Sequence, residues 1–161
     1  GVQVPLRPPP FLHHHLYLLL AAIPPFVVSS NRWGIVGRWN VTQVLIVDDS
    51  LISRMFMRKA VGKRLPDATV TEAANGHDAL TSVEGKTIDI ALLDLNMPGG
   101  INGLALAKML ADKRPEIKIA LVTANVQSAV KEKASSLGVD FIAKPITEEK
   151  IGEFIDKCLG S

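Results

Sequence analysis

From residue 41 onward, short apolar runs rich in β-branched residues alternate with longer amphipathic stretches. This alternation restricts the fold more than any other feature. A run of five or six apolar residues is a strand buried on both faces, as in a parallel sheet, and parallel neighbours must be joined by a crossover, usually a helix. The strands are expected at 43–47, 69–73, 88–93, 117–122 and 141–143. Ser50 caps a helix that runs to about Leu65, ahead of Pro66. After an Asn75-Gly76 turn come helices at 77–83, at 104–113 before Pro115, at 126–137 ended by Gly138, and at 148–159. The expected architecture is α/β, with a five-stranded parallel sheet flanked by five helices.

The composition changes near residue 40. Before it lie six of the ten prolines, Trp33, Trp39, Tyr17, three of the four histidines (His13, His14, His15) and three arginines with no acid. We place the boundary at 40/41, with 1–40 an N-terminal extension that is poorly ordered or non-native and 41–161 the folded domain. The apolar run 16–23 ends at Pro24-Pro25, too short for the roughly 20 residues of a membrane helix, so no membrane partner is expected; a signal-peptide core is the alternative for this run. The first methionine is Met55, which motivates a native start near Val41. Removing Arg7, Arg32 and Arg38 from the 18 basic residues leaves 15 against 16 acids, a net of −1 for the folded part. That balance argues against a nucleic-acid partner, and Arg54, Arg58, Lys59, Lys63 and Arg64 are read as a solvated helix face. The single cysteine, Cys158, rules out an intrachain disulfide and fits a reducing, cytoplasmic setting.

Three acids stand at the carboxyl ends of expected strands: Asp48 and Asp49 after the first and Asp94 after the third. Ligand crevices of open parallel sheets form on that side. With the first and third strands as neighbours, the carboxylates converge and repel, so the cluster calls for a cation. Oxygen-only ligands select Mg²⁺ or a similar hard ion over zinc. Thr123 and Lys144 end the fourth and fifth strands, and a hydroxyl donor with a fixed positive charge suits the oxygens of a transferring phosphoryl group.

The segments VLIVDDS (44–50), ALLDLNMPG (91–99), ALVTAN (120–125) and FIAKP (141–145) resemble, in order and spacing, the four motifs of response-regulator receiver domains. The resemblance implies a flavodoxin-like sheet of order 2-1-3-4-5. It also implies Asp94 as phosphoacceptor, Asp49 as a direct Mg²⁺ ligand, Asp48 acting through metal-bound water, and Asn96 offering its backbone carbonyl. Thr123 and Lys144 would hold the phosphoryl oxygens, and Phe141 would be the aromatic switch, with phosphorylation altering the face formed by the fourth helix, fifth strand and fifth helix. The donor would be a phosphohistidine on a sensor histidine kinase or phosphotransfer protein, and the target a separate protein bound by that face. The sequence departs from the common pattern in having Gly99-Gly100-Ile101 before Asn102-Gly103, one residue more than many members, and phenylalanine at 141 where tyrosine is commoner.

The expectation is therefore a stand-alone, non-enzymatic receiver. A receiver belonging to a hybrid kinase or multidomain regulator is the alternative. A haloacid dehalogenase-type phosphatase would need an Asp-x-Asp motif on its first strand, and here the residue two after Asp94 is Asn96, which cannot serve as an acid. Gly85-Lys86-Thr87 lacks the earlier glycine of a phosphate-binding loop. Met55, Phe56 and Met109 are read as core or docking surface, and His77 as solvent-facing.

Overall fold

The three interior strands are apolar at nearly every position and buried accordingly, whereas the edge strands carry polar residues and are only partly buried. β1 (Gln43–Val47), β3 (Ile90–Asp94) and β4 (Lys118–Thr123) lie in the interior of the sheet, with β2 (Thr69–Ala73) and β5 (Asp140–Ala143) at its edges. The computed structural model describes residues 41–124 and 127–160, so the expected extension at 1–40 and its boundary lie outside the described residues. All pairings are parallel and the order is β2-β1-β3-β4-β5, the flavodoxin-like order expected. Five helices connect and follow the strands: α1 (Leu51–Arg64), α2 (Gly76–Ser82), α3 (Gly103–Lys113), α4 (Ser128–Ser136) and α5 (Glu148–Leu159).

Alternate strand residues build two cores, because successive side chains point to opposite faces. Val44, Ile46, Ile90, Leu92, Ala120 and Val122 pack with Met57 and Val61 of α1 and Ile151, Phe154 and Ile155 of α5. Leu45, Val47, Ala91, Leu93, Ile119 and Leu121 pack with Ala79, Leu106, Leu110 and Ala134 of the other three helices.

Polar caps fix where four of the helices start. Ser50, Asn75, Asn102 and Thr147 each accept a hydrogen bond from the backbone N–H three residues on, satisfying a donor that the first turn leaves unpaired. This corrects the expected Asn75-Gly76 turn: Asn75 is a cap and Gly76 already helical. β3 begins two residues later than expected, at Ile90, and ends on Asp94 itself. Just before it, Asp89 turns its carboxylate to accept from the Gln43 N–H at 2.8 Å. The expected start of the fourth helix, Val126, lies outside the described residues.

The basic stripe on α1 is taken up by ion pairs. Arg54 and Arg58 face Glu72, Lys59 and Lys63 face Glu148, and Arg64 faces Asp156. The last two sets join α1 to α5, which explains the cluster without a nucleic-acid partner. Met55, Phe56 and Met109 are exposed, which corrects the expectation that they are core. His77 faces solvent as expected.

Candidate functional site

The strand order reverses direction between β1 and β3, and the crevice at such a switch point opens at the carboxyl ends of those strands. Asp48 and Asp49 leave β1 there and Asp94 ends β3. Each offers a carboxylate oxygen, and the three oxygens lie within 4.8 Å of one another. Asp48 and Asp94 are buried, at 0% and 4% exposure, whereas Asp49 is exposed.

Lys144 supplies the positive charge. Lys144 N–H donates to Thr123 O at 2.9 Å, and its Nζ reaches Asp94 Oδ1 at 3.0 Å and Asp48 Oδ2 at 3.3 Å. Burial pushes the Asp94 carboxyl above its usual range; the Lys144 hydrogen bond opposes this, and the Asp48 and Asp49 charges add to it. For Lys144, burial works against the charge, but the bond to Asp94 and the fields of Asp48 and Asp94 outweigh it and hold the ammonium above its usual value. One lysine does not balance three carboxylates, and an all-oxygen donor set of this kind fits a hard divalent cation such as Mg²⁺.

The remaining expected residues surround this cluster. Thr123 is buried at the end of β4, in register with Ala143, the residue before Lys144. Asn96 is exposed in the loop after β3. Phe141 is partly buried and packs on the core cluster that contains Leu121 and Ala134. In the loop near Asp94, Gly99 and Gly100 stand at φ 92° and 87°, a conformation that costs glycine little.

The sequence left one feature open and misread another. Leu51, Ile52, Met55 and Phe56 on the first turns of α1 are exposed at 59%, 80%, 53% and 37%; their helical spacing reads equally well as core, and only the tertiary structure shows that they face outward. Arg54, read as part of a solvated stripe, turns inward instead and donates to the Asp48 carbonyl at 2.7 Å. A cavity of about 410 Å³ lies at the other end of the sheet, lined by Ile88, Ile117 and Leu110 among others, and touches none of the clustered acids.

Fold and site are those of a flavodoxin-like domain with an acidic crevice at the switch point. The model of the response regulator receiver domain matches residues 44–156, and the chain belongs to that family, the receiver domains of two-component signalling. Among curated proteins it is 34% identical over 117 residues to the positive alginate biosynthesis regulatory protein of Pseudomonas aeruginosa, covering 71% of this chain and 46% of that protein. It is 32% identical over 116 residues to the chemotaxis protein CheY of Thermotoga maritima, covering 71% of this chain and 95% of that one. The chain thus spans less than half of the alginate regulator, and 35% of the cyclic di-GMP phosphodiesterase response regulator RpfG of Xanthomonas campestris. Among solved structures, the CheY-like receiver domain protein of Methanospirillum hungatei superposes with TM-score 0.68 at 24% identity, over 74% of this chain and 94% of that one; at that identity the likeness speaks for the fold. Among the described residues no helix is long and apolar enough to cross a membrane.

Proposed function

We propose that this domain accepts a phosphoryl group on Asp94 and signals by the change of shape that follows. The observation that carries the reading is the juxtaposition of three carboxylates within 4.8 Å with Lys144 bonded to two of them. Mg²⁺ would be held by Asp49, Asp94, the Asn96 backbone carbonyl and, through water, Asp48. When bound, it would neutralise charge on the transferring group. Asp94 is the nucleophile: a carboxylate oxygen forms the new O–P bond while the N–P bond of a donor phosphohistidine breaks and its electron pair returns to the imidazole. Lys144 and Thr123 take the phosphoryl oxygens, as donors placed where negative charge accumulates. Thr123 drawn toward the phosphoryl group would leave room for Phe141, and the rearranged α4-β5-α5 face would bind a target protein.

A sensor histidine kinase or phosphotransfer protein is the donor in this reading, in the cytoplasm. The exposed apolar residues at the start of α1, next to Asp49 in the chain, support a protein donor, since a contiguous exposed apolar patch marks an interaction surface. Incubation with acetyl phosphate and Mg²⁺ is expected to add one base-labile phosphoryl group, absent in Asp94→Asn. Full labelling of that variant would refute the assignment.

Whether the receiver acts alone is a separate matter. Coverage of 95% of the Thermotoga chemotaxis protein fits a stand-alone receiver, and coverage of 46% of the alginate regulator fits a receiver within a longer regulator. The intact mass of the protein from its native host distinguishes them.

A further inference from the structure

We propose that Arg54 is a positioning residue that orients the metal-binding loop at Asp48-Asp49; the inference rests on the reading of that loop as a Mg²⁺ site. Arg54 lies in the first turn of α1, yet its side chain turns back six residues. Its Nη1 donates to the Asp48 carbonyl at 2.7 Å, while its Nε faces Glu72 Oε2 at 3.4 Å. Only 15% of the Arg54 side chain is exposed.

The Asp48 carbonyl and the Asp49 N–H belong to one planar peptide unit, so a bond that fixes the carbonyl also fixes the direction in which Asp49 leaves the strand. Around that peptide, Asp48 is held on its other sides as well. Its N–H donates to Ala73 O at 3.2 Å, and its Oδ1 accepts from the Ser50 N–H at 2.8 Å. Asp49 is exposed, and the peptide that precedes it is fixed on its carbonyl side by Arg54. Glu72, in register with Ile46 of β1, anchors the guanidinium from the sheet. A guanidinium suits this task because its N–H groups diverge in a rigid plane and serve two acceptors at once, which one ammonium at the end of a flexible stem does poorly.

The sign of the effect separates positioning from charge. Arg54 is a cation near a cation site, so through space its removal strengthens Mg²⁺ binding; loss of an orienting bond weakens it. Arg58 gives the control: it also faces Glu72, at 3.5 Å, but is 59% exposed and is bonded to Glu72 rather than to the loop.

The test is Mg²⁺ titration followed by backbone amide resonances, together with the position of the Asp49 amide resonance in the metal-free protein. Arg54→Met and Arg54→Lys are expected to bind Mg²⁺ about tenfold more weakly, the usual scale for groups that orient a ligand from behind, and to shift the Asp49 amide resonance in the metal-free protein, because the bond to the Asp48 carbonyl of the same peptide unit is lost. Arg58→Met is expected to stay within about twofold of the parent. Should Arg54→Met not fold, Arg54→Lys carries the same test, since it keeps the charge and loses the fork. Parent-like or tighter Mg²⁺ binding by a folded Arg54 variant overturns the inference while leaving the metal site standing. A parent that binds no Mg²⁺ overturns the site reading and this inference with it.

Discussion

At Asp94 function and stability pull in opposite directions. The residue is 4% exposed, and burial, reinforced by Asp48 and Asp49, raises its carboxyl above the usual range despite the Lys144 bond. A raised carboxyl favours the protonated form in the folded state. Its contribution to stability is therefore fully present below the ordinary aspartate value and is lost as pH climbs through the elevated folded one. Once ionised, the carboxylate costs stability, a cost that the proposed phosphoacceptor role would require. Asp94→Asn, measured by thermal unfolding in EDTA at pH 7, is expected to melt a few degrees above the parent. The gain should shrink as the pH is lowered and the parent carboxyl also becomes neutral. A variant that melts below the parent at pH 7 would mean that the Lys144 bond outweighs the burial.

At the scale of elements, the connection between β3 and α3 is set by backbone approach. A Cβ on Gly103 would stand 2.2 Å from the Asp94 carbonyl oxygen and 2.9 Å from Leu95 Cα, and both are backbone atoms that cannot step aside. Gly103 N–H also donates to the Leu95 carbonyl at 3.0 Å, which ties the helix start to the loop that follows Asp94. Gly103→Ala is expected to destabilise by about 3 kcal/mol in denaturant unfolding, near the upper end of ordinary overpacking, and to slow phosphorylation by displacing Asp94. Gly62 is the counter-case. It lies within α1 with open space where a Cβ would go, so Gly62→Ala is expected to stabilise by about 1 kcal/mol through reduced unfolded-state freedom. One substitution with two signs tests whether the close approach at Gly103 governs this junction.

For the whole molecule, a Mg²⁺ ion bound as proposed would act as a stabilising ligand, because the three carboxylates converge only in the folded chain. Mg²⁺ at about 100 times its dissociation constant is expected to add about 2.7 kcal/mol to the unfolding free energy. In Asp49→Ala that increment should nearly vanish, while the metal-free stability stays close to the parent's because Asp49 is exposed. An undiminished increment in the variant would place the ion elsewhere.

Much of this protein was legible before any coordinates. Strand runs such as VLIV and ALLD are apolar enough to demand burial on both faces, and that period, with Pro66, Pro115 and Gly138 as punctuation, points to a parallel sheet with helical crossovers and puts Asp48, Asp49, Asp94, Thr123 and Lys144 at strand ends, while the strand order came from the resemblance to receiver domains. Boundaries shifted by a residue or two where side chains compete with the backbone, as Asn75 does in capping α2 and Asp89 in meeting the Gln43 N–H. Beyond reach of the sequence were the facts that depend on which surfaces meet. The period along α1 marks Leu51, Ile52, Met55 and Phe56 as one apolar group without saying whether a neighbour covers them; the fold leaves them exposed. Five basic residues on the same helix look alike in the chain, yet Arg58, Lys59, Lys63 and Arg64 pair at the surface while Arg54 bonds the Asp48 carbonyl. Local pattern decides secondary structure because it acts over a few residues, whereas a contact such as that of Lys144 with Asp94 exists only once distant strands lie side by side.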